Sequence, residues 1–184
     1  VRRSSFYLIT TNVAEDVTII SSLAMSFPLP LIPIQLLYLN LVTDTFNGIA
    51  LAAEPNHEDV LTQPPRDKKE RIINKDLIPF LLIIAVLMAV GTIPLFYYFL
   101  PQGIEKARTV AFVSMSMFQL FNVFNMRSIK KSLFEVGVFS NKWITYSLLV
   151  SVLLMVGIIY IPFFQGIFQF SSLAIGEFLI IVLV

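Results

Sequence analysis

Asn40-Leu41-Val42-Thr43-Asp44 places an amide, a hydroxyl and a carboxylate inside a run that is otherwise apolar enough to cross a bilayer. An ionisable group at membrane depth is costly, and by default it marks an ion or proton pathway. Residues at i, i+3 and i+4 share one face of a helix, so Asn40, Thr43 and Asp44 are expected to aim their oxygens at one place. Hard cations are held by such oxygen clusters. Upstream, Asn12 and Glu15 stand three apart in another apolar run with Asp16 beside them, so two helices could close on one ion.

The rest of the chain fits that setting. Hydrophobic residues make up 57% and charged residues 14% of the 184, and mean hydropathy is +0.81, which excludes an ordinary soluble core. The fold class expected is all-α: a polytopic transmembrane helical bundle. Measured against the roughly 20 residues a spanning helix needs, apolar runs place spans at 6–27, 32–53, 77–99, 107–126 and 143–163. A sixth run from Ser172 reaches Val184 after about 13 residues, so five full spans and a truncated sixth are expected. Cysteine is absent, which removes disulfides and thiolate metal sites. The basic residues are dispersed over loops, so no nucleic-acid partner is expected. The first apolar run carries Asn12, Glu15 and Asp16 in its middle and does not read as a cleavable signal.

Lys and Arg collect on the cytoplasmic side of short connections. Arg2 and Arg3, the five basic residues between Arg66 and Lys75, and Arg127, Lys130, Lys131 and Lys142 make eleven of the 13, all on alternate loops. The N-terminus and the 54–76 loop are therefore expected in the cytoplasm. The proline-rich connection Phe27-Pro28-Leu29-Pro30-Leu31-Ile32-Pro33 ends one helix and fixes entry into the next, making spans one and two an antiparallel hairpin with their polar clusters at similar depth.

Each polar group has a plainer use. Asn40, Thr43 and Asp44 could be interhelical hydrogen-bonding groups, but a carboxylate is dearer than an amide or hydroxyl for that task, which favours ion binding. The same holds for Asn12 and Glu15. Asp16 is rotated about 100° from Glu15 and is either a further carboxylate on the pathway or a structural partner. Gln119, Asn122 and Asn125 form an amide stripe that either completes an ion site or joins helices. Glu177 is expected at an interface and His57 in a solvated loop. Phe6, Tyr7, Tyr97, Tyr98 and Trp143 near span ends suit interfacial belts. No phosphate cradle, HExxH or nucleophile with a base at useful spacing is present in the 184 residues.

The run Asn12-Val-Ala-Glu15, then Pro33 through Asn40, Thr43 and Asp44, then Pro64-Pro65-Arg66 followed by Lys69-Glu70, resembles the C-terminal membrane region of P-type cation-transporting ATPases. The likeness is nearest to sarcoplasmic-reticulum-type calcium pumps and their prokaryotic relatives, and covers essentially the whole chain. It implies that the spans match the family's fifth to tenth helices, that 6–53 is the ion-binding hairpin, 54–76 the cytoplasmic coupling loop and 77–184 the supporting helices. Asn12, Glu15, Asn40, Thr43, Asp44 and Gln119 would be the metal ligands. Gln119 stands where two-site calcium pumps carry a glutamate, and Asp16 where they are apolar. The transported ion would be calcium, and ATP and magnesium would bind only in domains outside these residues, with the plasma membrane of a prokaryote as the setting. The partners implied are the cation, the lipid bilayer, and the cytoplasmic domains and first four helices of the pump. An ion-coupled secondary transporter or channel is the alternative, but it often shows repeated halves or broken helices, and no internal repeat is visible. A P-type pump for another cation, such as sodium, is the other alternative.

Overall fold

The computed structural model of the protein describes residues 2–54, 77–127, 135, 137 and 140–183, and the regular elements among them are all helical. The first helix, α1, runs Arg2–Ala24. It ends in a paired-hydrogen-bond cap: Phe27 N–H donates to the Ser22 carbonyl at 3.0 Å and Ser26 N–H to the Leu23 carbonyl at 2.9 Å, with Ser26 left-handed at φ 60°. The prolines then turn the chain. Pro33 occupies the first turn of α2, Pro33–Tyr38, where its missing N–H costs nothing, and Gln35 Oε1 accepts the Ile32 N–H at 3.1 Å.

The second apolar run does not continue as one regular α-helix. After α2 comes a π-helical turn, Leu39–Asp44, and then α3, Thr45–Ala52. Next come α4, Ile78–Phe99, a short 3-10 turn, Leu100–Gln102, and α5, Ile104–Arg127. The fifth expected span, 143–163, is interrupted: α6, Lys142–Tyr160, stops at the extended Ile161, and α7, Pro162–Phe168, starts anew on Pro162. Proline removes a helical donor and clashes with the preceding turn, which is why the break falls there. The last helix, α8, is Ile175–Leu183.

Among the described residues, three helices are long and apolar enough to cross a membrane: Ile78–Gln102, Ile104–Arg127 and Lys142–Tyr160. The 23-residue α1 has the length but carries Glu15 and Asp16 in its middle, and the second run is divided by the π turn. The expected coupling loop lies outside the described residues from residue 55 to 76, as do His57 and the basic residues 66–75, 130 and 131.

Helix α5 is the most enclosed, buried on nearly every face from Ala107 to Arg127, with α1 and α4 packed along it. Gly91 of α4 lets the ring of Phe118 on α5 lie where any Cβ would stand. Small residues permit such close approach in membrane bundles, where packing replaces the hydrophobic drive. Tyr97, Tyr98 and Trp143 are exposed, as belt residues are, but Phe6 and Tyr7 are buried in the core. Their position near a span end suggests an interfacial belt; instead the start of α1 packs inside the bundle, where Tyr7 finds a hydrogen-bond partner for its hydroxyl.

Candidate functional site

Three rungs join α1 to the second run. On α1, Tyr7, Thr11 and Glu15 recur every fourth residue and so lie on one face. Opposite them, in antiparallel order, stand Asn47, Asp44 and Asn40. Asn47 Nδ2 donates to the Tyr7 hydroxyl at 3.1 Å, Thr11 Oγ1 donates to Asp44 Oδ2 at 2.7 Å, and Asn40 Nδ2 donates to Glu15 Oε2 at 3.1 Å. The third helix enters at the last rung: Gln119 Nε2 of α5 donates to Glu15 Oε1 at 2.8 Å. Four of the six expected site residues are thus tied to one another or to their neighbours across helices, and a fifth, Thr43, is buried in the same turn at 2% exposure.

Asn12 is placed differently. It is exposed, and its Nδ2 donates to the Leu8 carbonyl of its own helix at 2.6 Å. Asp16 is exposed one turn further along the same face. The amide stripe of α5 also divides. Steps of three drift by about 60° around an α-helix, so Gln119 and Asn122 are buried while Asn125 reaches the surface.

The π turn explains how Asp44 comes to face Thr11. One extra residue in the turn rotates every later side chain of the run, and such turns occur mostly as single insertions, often at functional sites. Asn40 anchors the turn through both its side chain and its carbonyl: its Nδ2 also donates to the Leu36 carbonyl at 3.0 Å, and Thr45 Oγ1 donates to the Asn40 carbonyl, five residues back, at 3.3 Å. The i, i+3, i+4 spacing suggests a regular α face here, and nothing in the apolar periodicity marks the inserted residue.

Two carboxylates, Glu15 at 4% exposure and Asp44 at 1%, sit in this region with hydroxyl and amide donors, and no basic side chain bonds to either among the described residues. Asp44 Oδ1 and Gln119 Oε1 are buried acceptors with no hydrogen-bond partner among the described residues, and Ser116 Oγ and the Asn122 side chain, both its donor Nδ2 and its acceptor Oδ1, are buried without a partner there as well. A buried acceptor without a donor costs about 1–3 kcal/mol, so several in one region call for a ligand, ion or water to satisfy them. Among the described residues no three His, Cys, Asp or Glu side chains gather as a metal cluster. The charged oxygens of this region are those of two carboxylates, beside neutral amide and hydroxyl oxygens; oxygen donors of this kind suit a hard ion.

Sequence reasoning missed Thr11, Tyr7 and Asn47 as neighbours of the site. It also missed Ser147 of α6, whose Oγ donates to Asn47 Oδ1 at 2.7 Å and so ties the ladder to a fourth helix. Glu177, expected at an interface, caps its own helix by accepting the Ala174 N–H at 2.8 Å and pairs with Lys106 at 2.5 Å.

The family described as Cation transporting ATPase, C-terminus, matches residues 28–184, most of the chain. The chain belongs to this family, the C-terminal region of the P-type cation-transporting ATPases. Among curated relatives it is 33% identical to a calcium-transporting ATPase of Bacillus subtilis, over 99% of this chain and 21% of that protein. It is 34% identical to calcium-transporting ATPase 1 of Saccharomyces cerevisiae, over 97% of the chain and 19% of the relative. To the human calcium-transporting ATPase type 2C member 1 it is 33% identical, over 94% and 19%. The chain therefore spans about a fifth of the length of these relatives. Membership of this family, together with three helices long and apolar enough to cross a membrane, makes it an integral membrane protein.

Proposed function

We propose that these residues form the ion-binding membrane part of an ATP-driven calcium pump, with Glu15, Asn40, Thr43, Asp44 and Gln119 supplying the ligands. The observation that carries the reading is the pair of buried carboxylates on two helices of one hairpin, Glu15 held by two amides and Asp44 by the Thr11 hydroxyl, with Asp44 Oδ1 and Gln119 Oε1 left as buried acceptors. The names of the relatives favour calcium over sodium. An amide offers N–H on one side and C=O on the other. Asn40 and Gln119 now present N–H to Glu15; turning the two amides over would release both Glu15 oxygens and add two carbonyl oxygens for a cation.

Five crossings and part of a sixth, with the N-terminus and the 54–76 loop in the cytoplasm, complete the proposal. The loop would bear on the cytoplasmic domains, where ATP and magnesium bind. Asn12 and Asp16, on the exposed face of α1, stand where a helix from the remainder of the pump would close the site, and Asn12 joins the ligands from that side. Because Gln119 is neutral, the site carries fewer charges than a pair of calcium sites needs, and one calcium per cycle is the expected stoichiometry.

The test is equilibrium calcium binding in the full-length pump, counted per phosphorylation site, for wild type and Asp44→Asn. One calcium for wild type and none at the same concentration for Asp44→Asn are expected. Two calcium ions of similar affinity would refute the stoichiometry, and unchanged binding in Asp44→Asn would refute the site.

A further inference from the structure

At the end of the bundle where α3 and α5 finish and α6 begins, a guanidinium and a carboxylate are sealed from solvent together: Arg127 is 1% exposed and Glu54 9%. Arg127 Nε and Nη2 both donate to Glu54 Oε1, at 3.0 and 2.9 Å. Further donors of the guanidinium reach the Gly137 carbonyl at 2.8 Å and Ser140 Oγ at 2.5 Å. The other Glu54 oxygen accepts from Asn141 Nδ2. Asn141 in turn caps α6, its Oδ1 accepting the Trp143 N–H at 2.9 Å, and its Nδ2 also reaches the Ala50 carbonyl of α3 at 3.3 Å. One network thus closes over three chain segments.

We infer that the Glu54–Arg127–Asn141 network is a positioning device that couples Glu54, just past the end of α3, to the carboxylate at the other end of α3, Asp44. The inference rests on the ion-site reading above. Helix α3 is only eight residues long, with Asp44 as its N-cap residue and Glu54 two residues beyond its end. Between them, Asn47 is held from both sides by Tyr7 and Ser147. With no slack in two helical turns, displacement of the chain at Glu54 moves α3 as a unit, and Asp44 shifts against Thr11.

Stability alone does not account for the network. Desolvation offsets most of what a buried ion pair gains, and well-packed apolar side chains of similar volume hold such a place as firmly. What apolar side chains lack is direction: the guanidinium fork and the amide fix where three segments sit relative to one another.

The experiment uses the full-length pump in sealed vesicles, measuring calcium bound at equilibrium, ATP hydrolysed, and calcium accumulated per ATP. In Glu54→Leu/Arg127→Met the buried charges go together, so the protein folds and binds calcium with wild-type affinity. Calcium accumulated per ATP is expected to fall about threefold or more, the scale of a coupling energy spread over a few residues. A wild-type ratio in that variant overturns the inference. Should the double variant fail to insert, Arg127→Lys keeps the charge and loses the fork: a reduced ratio with unchanged binding supports the device, and an unchanged ratio refutes it. Asp44→Asn in the same assay separates the two readings, because its unchanged binding sinks the ion site, whereas its lost binding beside coupled network variants sinks the network alone.

Discussion

Thr10 and Thr11 are adjacent, identical and both fully buried, yet only Thr11 bonds to Asp44. The Thr10 hydroxyl turns back to the Phe6 carbonyl at 2.7 Å, the ordinary use of threonine in an apolar helix. Thr11 has one proton and three acceptors within reach, and the Asp44 carboxylate at 2.7 Å is nearer than the Leu8 or Tyr7 carbonyls at 3.0 and 3.3 Å. A charged acceptor at the shortest distance takes the proton. Thr11→Val should therefore free the Asp44 carboxylate and lower apparent calcium affinity about tenfold, as loss of an outer partner of a metal ligand does. Thr11→Ser should keep it. Calcium-dependent phosphorylation of the full-length pump measures both, and wild-type affinity in Thr11→Val would show that the hydroxyl does not hold Asp44. Glu15, Asn40 and Asp44 are legible in the sequence because each breaks an apolar run. Thr11 is not, since a hydroxyl that can satisfy itself on its own helix carries no such signal, and only the facing helix tells it from Thr10. Asn12 shows the converse: its spacing from Glu15 is legible, but the three-residue step turns it to the exposed face.

Helix positions are readable because length and hydropathy fix them, whereas irregularities inside helices are not. The Leu39–Asp44 π turn depends on where Asn40 and Thr45 place their side chains relative to backbone carbonyls, a tertiary choice that leaves the apolar pattern intact. The Ile161–Pro162 break is visible in principle, because proline interrupts the run, but the flanking apolar residues outweigh it. The end of α1 offers a clean test at this scale. Ser26 adopts φ 60° at the surface to close the paired-bond cap. A left-handed residue with a Cβ costs about 1–2 kcal/mol, and glycine removes that strain at the expense of greater freedom in the unfolded chain. Ser26→Gly should raise stability by a net of about 0.5–1 kcal/mol, seen as a higher midpoint of thermal unfolding in detergent. Ser26→Val, branched at Cβ, should lower it. The reverse order would mean that the cap does not form.

At the scale of the molecule, contacts gather at two opposite ends of the bundle. One end holds the Glu54, Arg127 and Asn141 network. At the other, Arg108 Nε donates to the Leu29 carbonyl at 3.2 Å and its Nη1 to Gln169 Oε1 at 3.3 Å, while Ser171 N–H donates to Thr109 Oγ1 at 2.9 Å. These contacts join the first hairpin turn, the start of α5 and the segment after α7. The ends of α3 and α5 and the start of α6 share a side, joined by the network, and in the sequence the basic runs at 66–75 and 127–131 come at or after the ends of α3 and α5. Charge bias sets orientation because short basic loops resist translocation, so the network end should face the cytoplasm. The described segment contains no cysteine, which makes single introduced thiols readable in a full-length pump stripped of its others. Lys69→Cys should react with an impermeant maleimide only when the cytoplasmic face is open. Gln102→Cys, exposed in the turn between α4 and α5, should react only from the opposite face. Labelling of Lys69→Cys from outside in sealed, right-side-out vesicles would reverse the orientation. Both thiols reacting from the same face would go further, since one crossing by α4 must separate them.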